Sequence, residues 1–125
     1  MIRFEMDAAN RIRIAVFEGV VDDAELLGSY GSLVAQPDYD PTLNDLVDMR
    51  GVDRLEVSSA SVRRLVEMFT PLDHGEVVTR LAIVAPRDDV FGMARMYEIL
   101  RSDAPEQIRV FRDRPEAERW LQGPL

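Results

Sequence analysis

Over the first 17 residues apolar and polar positions alternate. Ile2, Phe4 and Met6 interleave with Arg3 and Glu5, and Ile12, Ile14 and Val16 with Arg11 and Arg13. A two-residue period puts successive side chains on opposite faces of a strand. The two segments, joined by residues 7–10, therefore predict an antiparallel hairpin with one wet face. Ala15 and Phe17 make the second segment apolar on both faces near its end, which moves it inward in a sheet.

The period then changes. Asp22 with Glu25 three residues on has the spacing of a capping box, and Leu26, Leu27, Tyr30, Leu33 and Val34 follow at helical spacing as far as Gln36. Asp38-Tyr39-Asp40-Pro41 is a turn anchored by Tyr39. Residues 43–49 predict a strand that buries Leu46, Val47 and Met49, and residues 50–57 a loop. Ser58 and Ser59 open a second helix carrying Val62, Leu65, Val66 and Phe69, which ends around Thr70 and Pro71. Leu81-Ala82-Ile83-Val84-Ala85 lacks polar alternation, the mark of a strand covered on both faces. Asp88 or Asp89 caps a third helix with Val90, Met93, Ala94, Met96, Tyr97 and Leu100 along one side. Residues 107–111 form a last strand, and Asp113, Pro115 and Glu116 start a final helix through Trp120 and Leu121. The order ββαβαβαβα predicts an α/β fold with right-handed crossovers and a mostly parallel sheet with one antiparallel edge strand. With 125 residues and no repeat or linker-like stretch, one domain spanning 1–125 is expected.

Composition removes much chemistry. All 15 basic residues are arginine; there is no lysine, no cysteine and one histidine, His74. A Schiff base, a Walker-A phosphate loop, a thiol nucleophile, a cysteine metal site and a disulfide are excluded. The formal charge of -8 opposes nucleic-acid binding, which needs a basic footprint. The first 19 residues have no signal-peptide apolar stretch. No run approaches the roughly 20 apolar residues of a membrane helix, so no membrane insertion is expected. Together with the absence of cysteine, this predicts a soluble cytoplasmic protein. The seven glycines form neither G-x-G-x-x-G nor a phosphate loop, so no nucleotide cofactor is expected. His74, between Asp73 and Gly75-Glu76, matches no metal-ligand spacing and is a solvated loop residue; no metal site is expected.

Functional loops of parallel sheets gather beyond the C-terminal ends of the strands. Here that rim carries Asp48 and Arg50, Ser58 and Ser59, Arg87 to Asp89, and Arg112 and Asp113. Asp48 with Arg50 forms an ion pair that braces its loop. Ser58 or Ser59 caps the second helix, and either is also a candidate phosphorylation site, because a phosphate there meets free N–H groups and the positive end of the helix dipole. The third helix has apolar residues off its main stripe, Phe91 and Ile99 among them. Soft methionines suit an adaptable ligand pocket or dimer surface as well as a core. Phe91, Met93, Met96, Tyr97 and Leu100 are the candidate residues for an apolar ligand or a homodimer contact.

Several segments together resemble the small bacterial SpoIIAA-like (STAS-like) proteins. They are Pro37-Asp38-Tyr39-Asp40-Pro41, Leu46-Val47-Asp48-Met49-Arg50-Gly51-Val52, Val84-Ala85-Pro86 with Phe91 to Glu98, and Arg109 to Asp113 with Trp120-Leu121. The resemblance covers nearly the whole chain, from Ile2 to Leu121. It implies a right-handed β/α superhelix, with anti-sigma-factor antagonists, sulfate-transporter domains and CRAL-TRIO-type carriers of apolar ligands as relatives. In the antagonist motif Arg50 occupies a serine position after Asp48. The phosphorylated serine falls at Ser58 or Ser59, without the glycine that follows it in those relatives.

Two roles are expected from this reading. The first is a non-enzymatic module that binds an unidentified protein partner, switched by phosphorylation at Ser58 or Ser59. The second is a carrier or sensor of a small apolar molecule. An enzyme ranks last, because a serine nucleophile needs an adjacent base and the only histidine sits in another connection.

Overall fold

The computed structural model describes residues 1–73 and 77–124; the expectation for His74 lies outside them. Strands β1 (Ile2–Asp7) and β2 (Ile12–Asp22) form a hairpin. Then helix α1 (Asp23–Val34), β3 (Asn44–Glu56), α2 (Ser59–Phe69), β4 (Arg80–Val84), α3 (Asp88–Leu100), β5 (Gln107–Phe111) and α4 (Arg114–Gln122) alternate. The strands lie in the sheet in chain order, β1 antiparallel to β2 and the remaining pairs parallel.

That order decides where the helices go. Right-handed crossovers that always step to the next strand in one direction lay consecutive helices on the same face. Accordingly Leu26 of α1, Val62 and Leu65 of α2, and Val90 and Ala94 of α3 share one core with Ala15, Phe17, Val47 and Ile83. The opposite face belongs to α4: Ala117 and Leu121 pack with Ile12, Ile14, Leu46, Ala82, Val84 and Phe111. Strand β4 is buried at every position between the two layers. Arg80, at its start, is buried because its guanidinium donates to the Gly123 and Pro124 carbonyls at 3.1 and 2.7 Å and lies over the Trp120 ring. A cation there suits the negative end of α4.

Two expectations are corrected here. Arg13 does not face water: the second strand is covered on both sides, and Arg13 is buried beneath the three-helix layer. Residues 50–56 are not a loop but the second half of β3. Between Val16 and Val20 the β2–β3 register shifts twice, each time inserting an extra residue into β3. Each bulge flips the side-chain alternation, so Val47, Met49, Val52 and Leu55 all reach the three-helix face despite their spacing. The bulged strands run close together: a Cβ on Gly51 would come within 3.3 Å of the Phe17 carbonyl oxygen. Gly19, at φ +70, occupies the left-handed region that glycine adopts without strain.

Helix starts follow the sequence except at α3. Asp22, Ser58 and Asp113 accept the N–H groups of Glu25, Ser61 and Glu116 at 2.8, 3.2 and 2.8 Å. At α3 the cap position is Arg87, with no side-chain cap bond, and Asp88 and Asp89 fall inside the first turn. Their carboxylates pair instead with Arg112 and Arg87. Helix α1 ends at Val34, two residues before the expected Gln36.

Candidate functional site

Between the sheet and the layer of α1, α2 and α3 the packing is incomplete. A cavity of about 120 Å³ remains, walled by Val47, Met49, Leu55, Val62, Ile83, Met93 and Ala94 among other apolar groups. Close-packed interiors leave few voids larger than a water molecule. Its polar members gather at one end, at the starts of β2, β3, β4 and β5: Arg13, Asp45, Thr79 and Glu106. The ends of the helices supply Tyr97 and Arg101 from α3 and Asp73 after α2.

The mouth is lined by two arginine clusters. Arg13 and Asp45 are register partners on β2 and β3, so their side chains meet on the same face. Arg13 Nε and Nη2 donate to the two Asp45 oxygens at 2.7 and 3.3 Å, and Nη1 donates to the Asp40 carbonyl at 3.0 Å. The guanidinium also lies 4.6 Å from the Tyr39 ring centroid, which anchors the turn after α1. Arg101, the C-cap of α3, grips Asp73 through two parallel bonds of 2.9 and 2.8 Å and reaches Glu106 at 3.3 Å. Arg101 is 4% exposed, and its Nε is buried without an acceptor among the described residues.

Burial dominates the electrostatics. It pushes the Glu106 carboxyl up to about 7, with the charge of Asp45 adding to the effect and Arg101 opposing it. Burial likewise raises Asp45 against the pull of Arg13, and raises the Tyr97 hydroxyl. Among the described residues three carboxylates at the mouth face two guanidiniums, so one carboxylate is short of a full partner. Glu106, with a single long bond among the described residues, is that one.

A crystal structure of an uncharacterized protein from the DUF3478 family with a SpoIIAA-like fold, from Shewanella loihica PV-4, is similar to this chain over 97% of its length. The match covers 92% of that protein, with a TM-score of 0.58 and 19% sequence identity. The fold is SpoIIAA-like. No family model matches the chain, and no curated protein is significantly similar to it. A shared fold hosts many activities, so function has to be argued from the site.

The SpoIIAA-like frame separates the residues that the sequence placed on one rim. Asp48 is buried on the α4 face, where it accepts from Arg50 Nη2 at 2.8 Å and Arg114 Nη1 at 3.0 Å. Burial works against its charge, yet the hydrogen bonds from Arg50 and Arg114 hold Asp48 below the usual carboxylate range. Ser58 and Ser59 lie on the other layer, eight and more residues further along the extended β3. Asp48 with Arg50 therefore belongs to the α4 face, and Ser58 with Ser59 to the start of α2. Ser58 caps α2, donates through Oγ to Ser61 Oγ at 3.4 Å, and gives its N–H to Asp23 Oδ1 at 2.7 Å. Ser59 is exposed.

Of the five third-helix candidates, Met93 and Tyr97 line the cavity. Met96 is half-buried against the core, and Phe91 lies beneath the Arg112 guanidinium at 3.9 Å. Leu100 and Ile99, 39% and 61% exposed, are the apolar groups α3 leaves most open to solvent. The mouth residues Arg13, Asp45, Asp73, Arg101 and Glu106 were not foreseen as a site. One signal was present: Arg13 shares strand parity with Ala15 and Phe17, and Asp45 with Val47 and Met49, so each is a charge on an apolar face.

Among the described residues no three His, Asp or Glu side chains group to hold a metal ion, and no helix is long and apolar enough to cross a membrane.

The raised Glu106 gives a signed stability test. Its folded-state value near 7 lies above the ordinary 4.5, so the folded protein holds a proton that the unfolded chain releases between those values. Stability should therefore fall as pH rises from 5 to 8, by about 1–3 kcal/mol. In urea titrations at several pH values, Glu106→Gln should flatten this slope and exceed wild type in stability at pH 8. An unchanged slope would show that Glu106 is ionised throughout.

Proposed function

We propose that this protein binds a small apolar molecule in the space between its sheet and three-helix layer, as a carrier or sensor. The observation that carries this reading is the cavity itself. At about 24 cal/mol per Å³, an empty cavity of this size costs on the order of 3 kcal/mol. Filling it with apolar atoms recovers dispersion contacts that the lining groups lack. Its volume is close to that of an engineered apolar cavity that stays dry and takes up benzene. The reading is non-enzymatic: the charged groups at the mouth are tied to one another in ion pairs, and no serine or threonine there is held by a base among the described residues.

Ala94, on the cavity wall, supplies the test. Ala94→Leu should fill part of the space and abolish the thermal stabilisation that saturating toluene gives the wild type, while the variant's own melting temperature is unchanged or higher. Native mass spectrometry of wild type from two expression hosts should show an adduct that Ala94→Leu lacks. Equal response of both proteins to toluene would place binding elsewhere and remove the reading.

A second reading, a protein-interaction module switched by phosphorylation, is favoured by one feature. Ser59 is exposed in the first turn of α2, and Arg63 stands one turn along. A phosphate on Ser59 would meet the helix N-terminus and the Arg63 guanidinium. On Ser58 it would instead be driven against the Asp23 carboxylate that holds the Ser58 N–H. Ser59→Glu should therefore raise the melting temperature by a degree or two and Ser58→Glu lower it by more. The reverse order would eliminate Ser59 as the switch.

A further inference from the structure

The mouth of the cavity also defines the head group of its ligand, an inference that rests on the apolar-binding reading above. Three observations converge. First, the helices of a parallel β/α layer run opposite to the strands, so α1, α2 and α3 all end where the strands begin. Leu33, Phe69 and Tyr97, each at or near the end of its helix, line the same cavity as Arg13 and Asp45 from the strand starts. Three helix C-termini bring three partial negative charges to one place, which favours cations.

Second, the side chains add to that field. Asp45, Asp73 and Glu106 face Arg13 and Arg101, leaving one carboxylate in excess among the described residues. Third, both guanidiniums are already engaged, and the one Arg101 N–H that lacks an acceptor among the described residues, Nε, has no accessible surface to offer a ligand. Arg13 is held by Asp45 and the Asp40 carbonyl, and Arg101 by Asp73 in a bidentate pair. An incoming carboxylate would have to break a buried ion pair and leave its partner unpaired, which is costly. The Glu106 carboxylate, by contrast, keeps acceptor capacity beyond the one 3.3 Å bond, from Arg101, that it makes among the described residues.

We propose that the cavity takes a small apolar amine, its hydrocarbon body between sheet and helices and its ammonium group at Glu106 in the mouth, and that it discriminates against fatty acids. The volume suits a body of about six carbons, by comparison with a cavity that admits benzene. The groups facing Glu106 are Tyr30 from α1, Tyr39 after α1, Asp45 from β3, Arg101 and Tyr97 from α3, and Asp73 after α2. The ammonium stays charged through neutral pH, whereas Glu106 gains its charge as pH rises through about 7. Amine binding then strengthens with pH in that window, by about tenfold between pH 6 and pH 8 if only the ionised carboxylate binds.

The test compares n-hexylamine, 1-hexanol and hexanoate, titrated into the full chain by isothermal calorimetry. At pH 8 the amine should bind most tightly and hexanoate at least tenfold more weakly. Amine affinity should fall about tenfold at pH 6 while that of hexanol stays constant. Glu106→Gln should bring the amine down to the level of hexanol, and unaltered hexanol binding shows that the variant is folded. Should that variant fail to fold, the pH series on wild type decides alone. Hexanoate binding as tightly as the amine, or an amine affinity independent of pH, would overturn the head-group assignment while leaving the cavity reading intact. Failure of all three probes to bind would remove both.

Discussion

Each parallel connection in this protein steps one strand further in the same direction, and the other features follow from that constraint. It lays α1, α2 and α3 side by side on one face and leaves the other to α4 alone. It also points three helix C-termini at the starts of four strands. A site that collects so much partial negative charge favours cations. Arg13 and Arg101 are found there, buried and hydrogen-bonded. Carboxylates that pair with those arginines then have to be buried as well, which explains why Asp45 and Glu106 are pushed upward rather than down.

The cavity lies on the three-helix side of the sheet rather than under α4. Small residues let α4 approach closely: Ala117 and Ala82 are fully buried at that contact. On the opposite side the two β3 bulges extend the strand and increase its local twist. The long side chains of Tyr97 and Met93 surround space rather than fill it. The buried ion pairs at the mouth contribute little net stability, because desolvation offsets their attraction. Breaking one, however, would expose the rest of the cluster to an unpaired charge.

The order of elements was legible because period and caps agree. Asp22, Ser58 and Asp113 each begin a helix through the bond that their spacing implies. The second half of β3 was not legible. Its inward residues, Val52 and Leu55, follow Met49 at every third position, and two bulges turn a strand into a pattern that looks like neither strand nor helix. The α3 cap failed for a different reason: Asp88 and Asp89 are drawn to Arg112 and Arg87, so neither accepts the orphan N–H groups. For the site, the sequence points to the C-terminal ends of the strands, where ligand loops are usual. The mouth lies at the opposite ends, because the cavity opens within the layer rather than above the sheet. Arg13 and Asp45 were visible as charges at inward parity, but their pairing depends on the β2–β3 register, which a lone sequence does not display.

The proposed binding requires an apolar void that exists before any ligand arrives. Xenon, which enters apolar cavities and has no affinity for filled cores or hydrated clefts, measures this directly. A crystal of the protein pressurised with xenon should show an anomalous peak between Val47, Ile83 and Ala94, with no ordered water at that position. A core closed at that place without xenon, or a chain of waters running inward from Glu106, would contradict it.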